Sequence, residues 1–569
     1  MNIAIAQMEV FPADLRKNKQ TMLTLIDAAR TAGAQVVMFP ELAVSGLLVG
    51  DYWQRGSFIA DCLQIGEELA AAAPDLTLIF GNIGLREGKL CNCVYMSVNG
   101  ELGRLEAPLG GSYIPGAYEV FAADNQYQVY NLEIGGKICR TAFLLGDWRD
   151  AELPCTAADV DLLVNLSSAP YIVGSDFSQP YVEGRAFIQL NSIGLQAIEK
   201  RNYVFPGGSC FRSAKGDITA SAPMFKERLL LADLWQSGEV VASLTAAESL
   251  GGVLIYAAGA FCRQIGVEKA VIGVSGGIDS AVAACVYTAA LGKDNVLLVN
   301  MPTEHNCKQT IALAKQLAKA IGAPCISMPL FDSLSQLRKQ LAHVQLHGEA
   351  VKLSGTAWES VQSRERTRYL AALAAACGGI FTDNGNKAEA AVGYATFYGD
   401  LAGAFAVLGD LWKYQVYQAA EYLQSIFPDA PLQQIAALRP SAELSAEQSI
   451  DAGLGDPLTY AYHDHLLRSW AEQGSTPYDI LRHYVDGDLA EYLGCDAEII
   501  AELFPTAAEI AADIERWWLQ YRGLAVAKRL QAPPFLVLSA CPLSQREEVQ
   551  SAVYFCNDYL QLRKEAVGN

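Results

Sequence analysis

At 569 residues the chain is too long for one hydrophobic core, so two domains are expected. It is 51% hydrophobic and only 18% charged, a composition that excludes a largely disordered chain. The formal net charge of -20 excludes nucleic acid or an anionic membrane surface as the main partner, and leaves room for a basic phosphate pocket within an acidic shell.

In chain order, residues 3–6 read as a strand, 21–32 as a helix, and 35–39 as an apolar strand ending at Pro40-Glu41. The opening residues read as this strand rather than as a charged leader. No apolar run reaches the ~18–20 residues needed to cross a bilayer, so a soluble, cytoplasmic protein is expected. Further strands at 76–80 and 161–164 continue the β-then-α alternation, which implies α/β layers. Around residues 232–250 the strand pattern gives way to a helix running into Cys262, and a second α/β series begins at Ala270. The domain boundary is placed there, as residues 1–240 and 241–569. Fourteen cysteines without zinc-type spacing, Cys91/Cys93 included, read as free thiols in a reducing compartment. Only six histidines occur, the first being His305, so the N-terminal half holds no Ser-His or Cys-His pair of its own.

The segment A-V-I-G-V-S-G-G-I-D-S-A-V-A-A, residues 270–284, leads an apolar strand into Ser275-Gly276-Gly277 and starts a helix near Ile278. Glycines let backbone N–H groups approach an anion that a Cβ would hold away. The helix N-terminus adds unsatisfied donors and a partial positive charge. Ser275 and Ser280 supply hydroxyls, and Asp279 is placed to hold Mg²⁺ against phosphates. The lysine of a G-K-[ST] loop is absent, so this is a pyrophosphate site of a different kind from a Walker loop.

The S-G-G-x-D-S pattern resembles that of the N-type ATP pyrophosphatases, which cleave ATP between the α- and β-phosphates to adenylate a substrate. The blocks that follow are similar to those of NAD synthetases. They are Met301-Pro302, E-S-V-Q-S-R-E-R at 359–366, G-N-K-A-E at 385–389, V-G-Y-A-T-F-Y-G-D at 392–400 and D-L-W-K-Y-Q-V-Y at 410–417. P-S-A-E-L at 440–444, G-D-P-L-T-Y-A-Y-H-D at 455–464 and A-K-R-L-Q-A-P-P at 527–534 complete the series.

This resemblance implies a Rossmann-like (adenine nucleotide α-hydrolase) parallel sheet with a helical C-terminal extension. It implies an AMP-producing ligase: the nicotinate carboxylate of deamido-NAD attacks the α-phosphorus of ATP, and ammonia displaces AMP from the acyl adenylate to give NAD. Ser275, Gly276, Gly277, Asp279, Ser280, Asn384 and Lys413 would meet ATP and its pyrophosphate. Ser360, Glu389, Tyr394 and Lys528 would meet deamido-NAD, with Asp279 and Glu389 as Mg²⁺ ligands and Lys387 as a further phosphate candidate. The family pattern carries asparagine at Ser360 and threonine at Asn384; each replacement keeps a hydrogen-bonding group and changes its reach.

In the first half, M-F-P-E-L-A-V-S-G at 38–46, I-C-R-T at 138–141, N-L-S-S-A-P-Y at 165–171 and F-P-G-G-S at 205–209 resemble the nitrilase-type amidases. The fold this implies is an α/β/β/α sandwich, and in glutamine-dependent NAD synthetases such a domain releases ammonia from glutamine. That chemistry needs a thiolate, a carboxylate base and a cation near the oxyanion. Cys139 and Glu41 are matched to the first two roles. The family lysine falls on Gly111, and no lysine occurs between Lys89 and Lys137. The acidic pair that follows the family cysteine is Arg140-Thr141 here, and the serine and arginine that hold glutamine appear as Ala169 and Ser175. Loss of one oxyanion donor costs ~10²–10³ in rate, so a retained amidase fold with little glutaminase activity is expected.

The leading expectation is therefore an NAD synthetase using free ammonia and Mg-ATP, with the first domain kept for packing and oligomer contacts. A glutamine-driven enzyme whose cation comes from Lys137 or Arg140 is a second reading. A third is an amide ligase for another carboxylate, motivated by Ser360 and Asn384. The fourth is a non-catalytic scaffold, against which the intact loop, Glu389 and Lys387 stand. A homo-oligomer is implied by the resemblance alone.

Overall fold

The structure is a computed structural model that describes residues 2–110, 114, 116–122, 128–146, 160–175, 184–233, 238–543 and 553–568. The chain divides into two units, Met1–Leu244 and Thr245–Asn569. The second opens on a helix whose first turn is closed by a capping box between Thr245 and Glu248.

In the first unit the elements run β1 (Ile3–Gln7), α1 (Leu15–Thr31), β2 (Val36–Met38), α2 (Gly56–Ala72), β3 (Thr77–Arg86), β4 (Lys89–Val98) and β5 (Glu101–Leu105). They continue as β6 (Tyr130–Ile134), β7 (Lys137–Leu145), β8 (Leu162–Ser167), β9 (Ala186–Asn191), β10 (Ile193–Ile198), β11 (Arg201–Pro206), β12 (Cys210–Arg212), β13 (Ile218–Ser221) and β14 (Arg228–Ala232). Two six-stranded sheets result, in the orders β14-β1-β2-β3-β4-β5 and β13-β12-β9-β8-β7-β6. Strands β1, β2 and β3 run parallel in the first, and β7, β8 and β9 in the second. Parallel strands read as near-continuous apolar runs because both their faces are covered. The core lies between the sheets and draws Ile5, Met38 and Ile79 from one and Phe143, Val164 and Ile188 from the other. Helix α2 packs on β3 and β5 of the first sheet.

The second unit runs α3 (Ala246–Gln264), β15 (Ala270–Gly273), α4 (Ile278–Leu291), β16 (Val296–Asn300), α5 (Lys308–Ile321), β17 (Cys325–Ser327) and α6 (Phe331–Leu341). After a short hairpin of β18 (Gln345–Leu346) and β19 (Glu349–Ala350) come α7 (Gly355–Cys377), β20 (Ile380–Phe381), α8 (Lys387–Val392) and α9 (Lys413–Ile426). A four-stranded parallel sheet, ordered β17-β16-β15-β20, is the Rossmann-like core. The strand order reverses between β15 and β20, and ligands of open α/β sheets bind beyond the carboxyl ends of the strands at such a switch. The rest is mainly helical: α10 (Leu432–Ala436), α11 (Tyr460–Arg468), α12 (Pro477–Asp486), α13 (Leu489–Leu493), α14 (Ala497–Leu503), α15 (Ala507–Arg522), α16 (Leu524–Gln531), β21 (Phe535–Val537) and α17 (Asn557–Val567). Its own core holds Tyr462, Leu466, Ile480 and Trp517 together with Ala388 and Val392 of α8. Among the described residues no helix is long and apolar enough to cross a membrane.

Candidate functional site

The Ser275–Ser280 loop leaves the carboxyl end of β15 beside the switch point. Gly276 has φ +94°, and a Cβ there would lie 2.2 Å from the Thr310 carbonyl oxygen, so glycine is required on two counts. Gly277 N–H donates to Ser275 Oγ at 3.1 Å, and Ser280 Oγ donates to the Gly277 carbonyl at 3.0 Å. These bonds fix the turn and bring the start of the 14-residue α4 to face outward from the sheet edge.

Asp279, in the first turn of α4, accepts from Asn386 Nδ2 at 3.1 Å and forms an ion pair with Lys413, the first residue of α9. Lys413 is buried and its ammonium lies 4.9 Å from the Tyr460 ring centroid. Burial works against that charge, but Asp279 and Glu389 outweigh it and raise the lysine pKa. Glu389 closes the first turn of α8 through a capping box with Asn386. Burial first, then the charges of Asp279 and Asp456, push Glu389 up to about 8. Tyr460 Oη lies 3.4 Å from Glu389 Oε1 and 3.3 Å from Asp456 Oδ2, and Tyr394 Oη donates to Asp456 Oδ1 at 3.1 Å. Burial likewise raises Asp464, to about 7.

Carboxylates thus outnumber ammonium groups around Lys413, and the raised Glu389 pKa registers the crowding. Among the described residues no group of three or more His, Cys, Asp or Glu side chains stands ready to hold a metal. Mg²⁺ is commonly bound by one or two carboxylates, with water and substrate phosphates completing its shell. The oxygen chemistry of Asp279 and Glu389, close enough for the charge of one to raise the pKa of the other, is compatible with such an ion.

The structure brings together Asp279, Glu389, Lys413 and Tyr394 of the residues named from the sequence. Asn384 lies at the same sheet edge, donating to the Gly273 carbonyl at 3.2 Å and accepting from Thr382 Oγ1 at 2.8 Å. Ser360 is half-buried on α7, next to Glu359, whose charge reaches Tyr394. Lys528 donates to the carbonyls of Gly393 at 2.6 Å and Ala395 at 2.5 Å, so it braces the loop after α8.

Lys387 is a correction. Its ammonium is fully buried between Asp410 and Glu472, each 2.8 Å away, and also donates to Ser539 Oγ at 2.7 Å. As first residue of α8 its side chain points back into the packed C-terminal region, away from the sheet edge, and it is no phosphate ligand. Asn386, Asp456, Tyr460 and Asp464 were present in the quoted motifs without a role. Nothing in one sequence says that residues 279 and 413 meet.

In the first unit, Glu41 follows β2 and is fully buried; its Oε1 accepts from Asn92 Nδ2 at 2.5 Å and Tyr118 Oη at 2.8 Å. Among the described residues its Oε2 meets no hydrogen-bond partner, and burial, opposed by the Tyr118 and Asn92 hydrogen bonds, pushes the carboxyl up to about 7. Cys139 does not join it. Thr141 of β7 is level with Leu162 of β8, so Cys139 lies level with Val160, whereas Ser168, eight residues on, bonds to the Glu41 carbonyl. At ~3.3 Å per residue the thiol is roughly 25 Å from the Glu41 end. Cys139 sits near the start of β7, opposite Leu132 and within the core between the sheets, and burial raises its pKa. Arg140 is held by Asp161 at 2.8 Å, and Lys137 lies beside the β6–β7 turn, so both stand at that same far end. Asn92 faces Glu41, so Cys91 and Cys93 point to the other side of β4. Ala169 is bonded to Asn191, and Ser175 Oγ donates to Ile172. Gly111 and Cys155 lie outside the described residues.

Residues 259–493 match the NAD synthase family and residues 2–78 the carbon-nitrogen hydrolase family. A glutamine-dependent NAD(+) synthetase of Synechocystis sp. is 30% identical over 528 residues, covering 84% of this chain and 90% of the relative. That of Thermotoga maritima is 27% identical over 542 residues, covering 84% and 90%. Two solved structures share the fold. The glutamine-dependent NAD(+) synthetase of Cytophaga hutchinsonii has TM-score 0.75 at 15% identity, covering 99% of each chain. That of Acinetobacter baumannii, in complex with ADP, has TM-score 0.66 at 23% identity, covering 86% of this chain and 91% of its own. With a strand-loop-helix turn at Ser275–Ser280, a nitrilase-like first unit and relatives matched along most of their length, this chain belongs to the glutamine-dependent NAD(+) synthetase family.

Proposed function

We propose that this chain amidates deamido-NAD to NAD with ammonia taken up directly, cleaving ATP to AMP and pyrophosphate. The nicotinate carboxylate attacks the α-phosphorus, a carboxylate-phosphate bond forms and pyrophosphate leaves toward the Ser275–Ser280 loop. Ammonia then adds to the acyl carbon, AMP leaves and one proton is shed. Asp279 and Glu389 would hold Mg²⁺, which would supply charge neutralisation at the phosphates. Lys413 keeps Asp279 oriented, and Tyr460 and Tyr394 hold the neighbouring carboxylates by hydrogen bonds.

The ammonia reading rests on one observation above the others: Glu41 and Cys139 stand at opposite ends of their strands. The lysine position at Gly111 supports it from the sequence. A second reading, glutamine-driven turnover with another nucleophile, is favoured by Glu41 itself, which remains buried, hydrogen-bonded and raised to about 7 as a general base requires. A cytoplasmic homo-oligomer belongs to the same proposal. The test is NAD formation from deamido-NAD and Mg-ATP with ammonium or glutamine as sole nitrogen source. Turnover with ammonium alone supports the first reading. Glutamine turnover abolished by Glu41→Gln and kept by Cys139→Ala supports the second. No turnover with either defeats both.

A further inference from the structure

The motif at 359–366 ends on Arg366, in the middle of α7. Helix α7 runs against the strands it covers, since its end leads directly into β20, parallel to β15. Leu370 of α7 is the side chain nearest Gly273, the last residue of β15. Arg366, one turn earlier on the same helix face, therefore stands about 6 Å further along the strand direction, over the carboxyl edge of the sheet.

Its guanidinium is in an unusual state for that position. Nη1 is buried and has no hydrogen-bond partner, and among the described residues the group makes no hydrogen bond or ion pair. Burial pushes its pKa down to about 10 against the opposing charges of Asp400 and Glu443. Those two carboxylates are committed elsewhere. Asp400 Oδ1 accepts from Ser363 Oγ at 2.9 Å and the Thr396 N–H at 2.6 Å. Glu443 accepts from the Cys307 N–H at 2.8 Å, Thr310 Oγ1 at 2.9 Å and Asn306 Nδ2 at 3.1 Å, and so holds the start of α5, whose Thr310 carbonyl lies against Gly276.

The lysines of the neighbouring motifs are engaged as well. Lys413 is paired with Asp279, Lys387 is enclosed by Asp410 and Glu472, and Lys528 is on backbone carbonyls. Arg366 differs from them in having planar donors without acceptors at the ligand-binding edge. A buried donor left without a partner is costly, and a native fold that keeps one meets it with water, an ion or a ligand, or holds it for a functional role. A guanidinium is the side chain whose fixed fork matches a phosphate or carboxylate.

We infer that Arg366 is an oxyanion-binding residue of the synthetase site, taking an oxygen of a bound substrate through its buried Nη1. The substrate class rests on the NAD synthetase reading: the oxyanion comes either from an ATP phosphate or from the carboxylate or phosphates of the pyridine dinucleotide. Asp400 and Glu443 are positioning residues that hold the surrounding backbone while leaving the guanidinium open.

The test uses the full chain and three probes, Mg-ATP, deamido-NAD and inorganic pyrophosphate, each titrated separately by calorimetry. Arg366→Gln is expected to weaken one nucleotide by about 10- to 100-fold and leave the other within about twofold. Arg366→Lys is expected to recover part of the loss. The nucleotide that weakens identifies the source of the oxyanion. Affinities for all three probes within about twofold of the parent overturn the inference. So does equal weakening of all three together with a lowered ligand-free melting temperature, which marks a merely structural arginine. If the parent binds neither nucleotide, the NAD synthetase reading fails. The pyrophosphate titration then decides Arg366 on its own: a loss in Arg366→Gln keeps the oxyanion site, and no loss removes it.

Discussion

Gly276→Ala measures how tightly the Ser275–Ser280 loop is seated. Gly276 has φ +94°, and an added Cβ would lie 2.2 Å from the Thr310 carbonyl oxygen and 2.7 Å from its carbon. A left-handed backbone costs an L-residue ~1–2 kcal/mol, and forcing a methyl into a packed site costs ~1–3 kcal/mol more. The obstructing atoms are backbone, and Glu443 pins the start of α5 by its bonds to Cys307 and Thr310, so no side chain can swing aside. The total is ~2–5 kcal/mol. Gly487 isolates the backbone part, being left-handed at φ +82° with nothing within 4 Å of its Cβ position. Gly487→Ala should cost only ~1–2 kcal/mol. Urea unfolding of the two variants should therefore differ by ~1–3 kcal/mol. A loop displaced by ~1 Å should lower kcat by ~10²-fold in Gly276→Ala alone. Equal stability and equal kcat in the two variants would refute the seating argument.

Lys387→Met should destabilise the second unit by ~3–5 kcal/mol, because Asp410 and Glu472 lose their buried partner; a lysine serving phosphate would instead raise the KM for ATP at unchanged stability. Glu389 is raised to about 8 and Glu41 to about 7, both by burial foremost. The folded state holds these protons more tightly than the unfolded one. Their contribution to stability is complete below the unfolded value of ~4.3 and is lost as pH rises through the folded values. Unfolding free energy without ligand should fall from about pH 4 to about pH 8 and level off above that, and Glu389→Gln should flatten the upper part of that fall; a flat parent profile contradicts this. Cys139→Ala should leave ammonium-driven NAD formation within about twofold of the parent, as befits a core position, and a large loss would return Cys139 to the chemistry.

The strand-loop-helix turn at Ser275–Ser280 was legible in the sequence because its parts are contiguous. An apolar strand, two glycines, two hydroxyls and Asp279 lie within a dozen residues, and strand-to-helix geometry brings them together without help from the rest of the chain. The alternation of strands and helices was legible for the same local reason, and so were the two α/β series, since periodicity is written into each segment.

Cys139 and Lys387 were not legible, and they fail for different reasons. A cysteine on a strand has a face fixed by alternation, but which end of the sandwich it occupies depends on register with β8 and on where β2 releases Glu41. A lysine in a motif next to Glu389 carries the right charge, yet its direction was decided by Asp410 and Glu472, respectively 23 and 85 residues away in the chain. The sequence by itself determined the family, the two-part architecture and the strand-loop-helix turn at Ser275–Ser280. Only the tertiary structure decided which cations reach that loop, because a long charged side chain goes where buried carboxylates satisfy it, and those partners come from segments that meet only on folding.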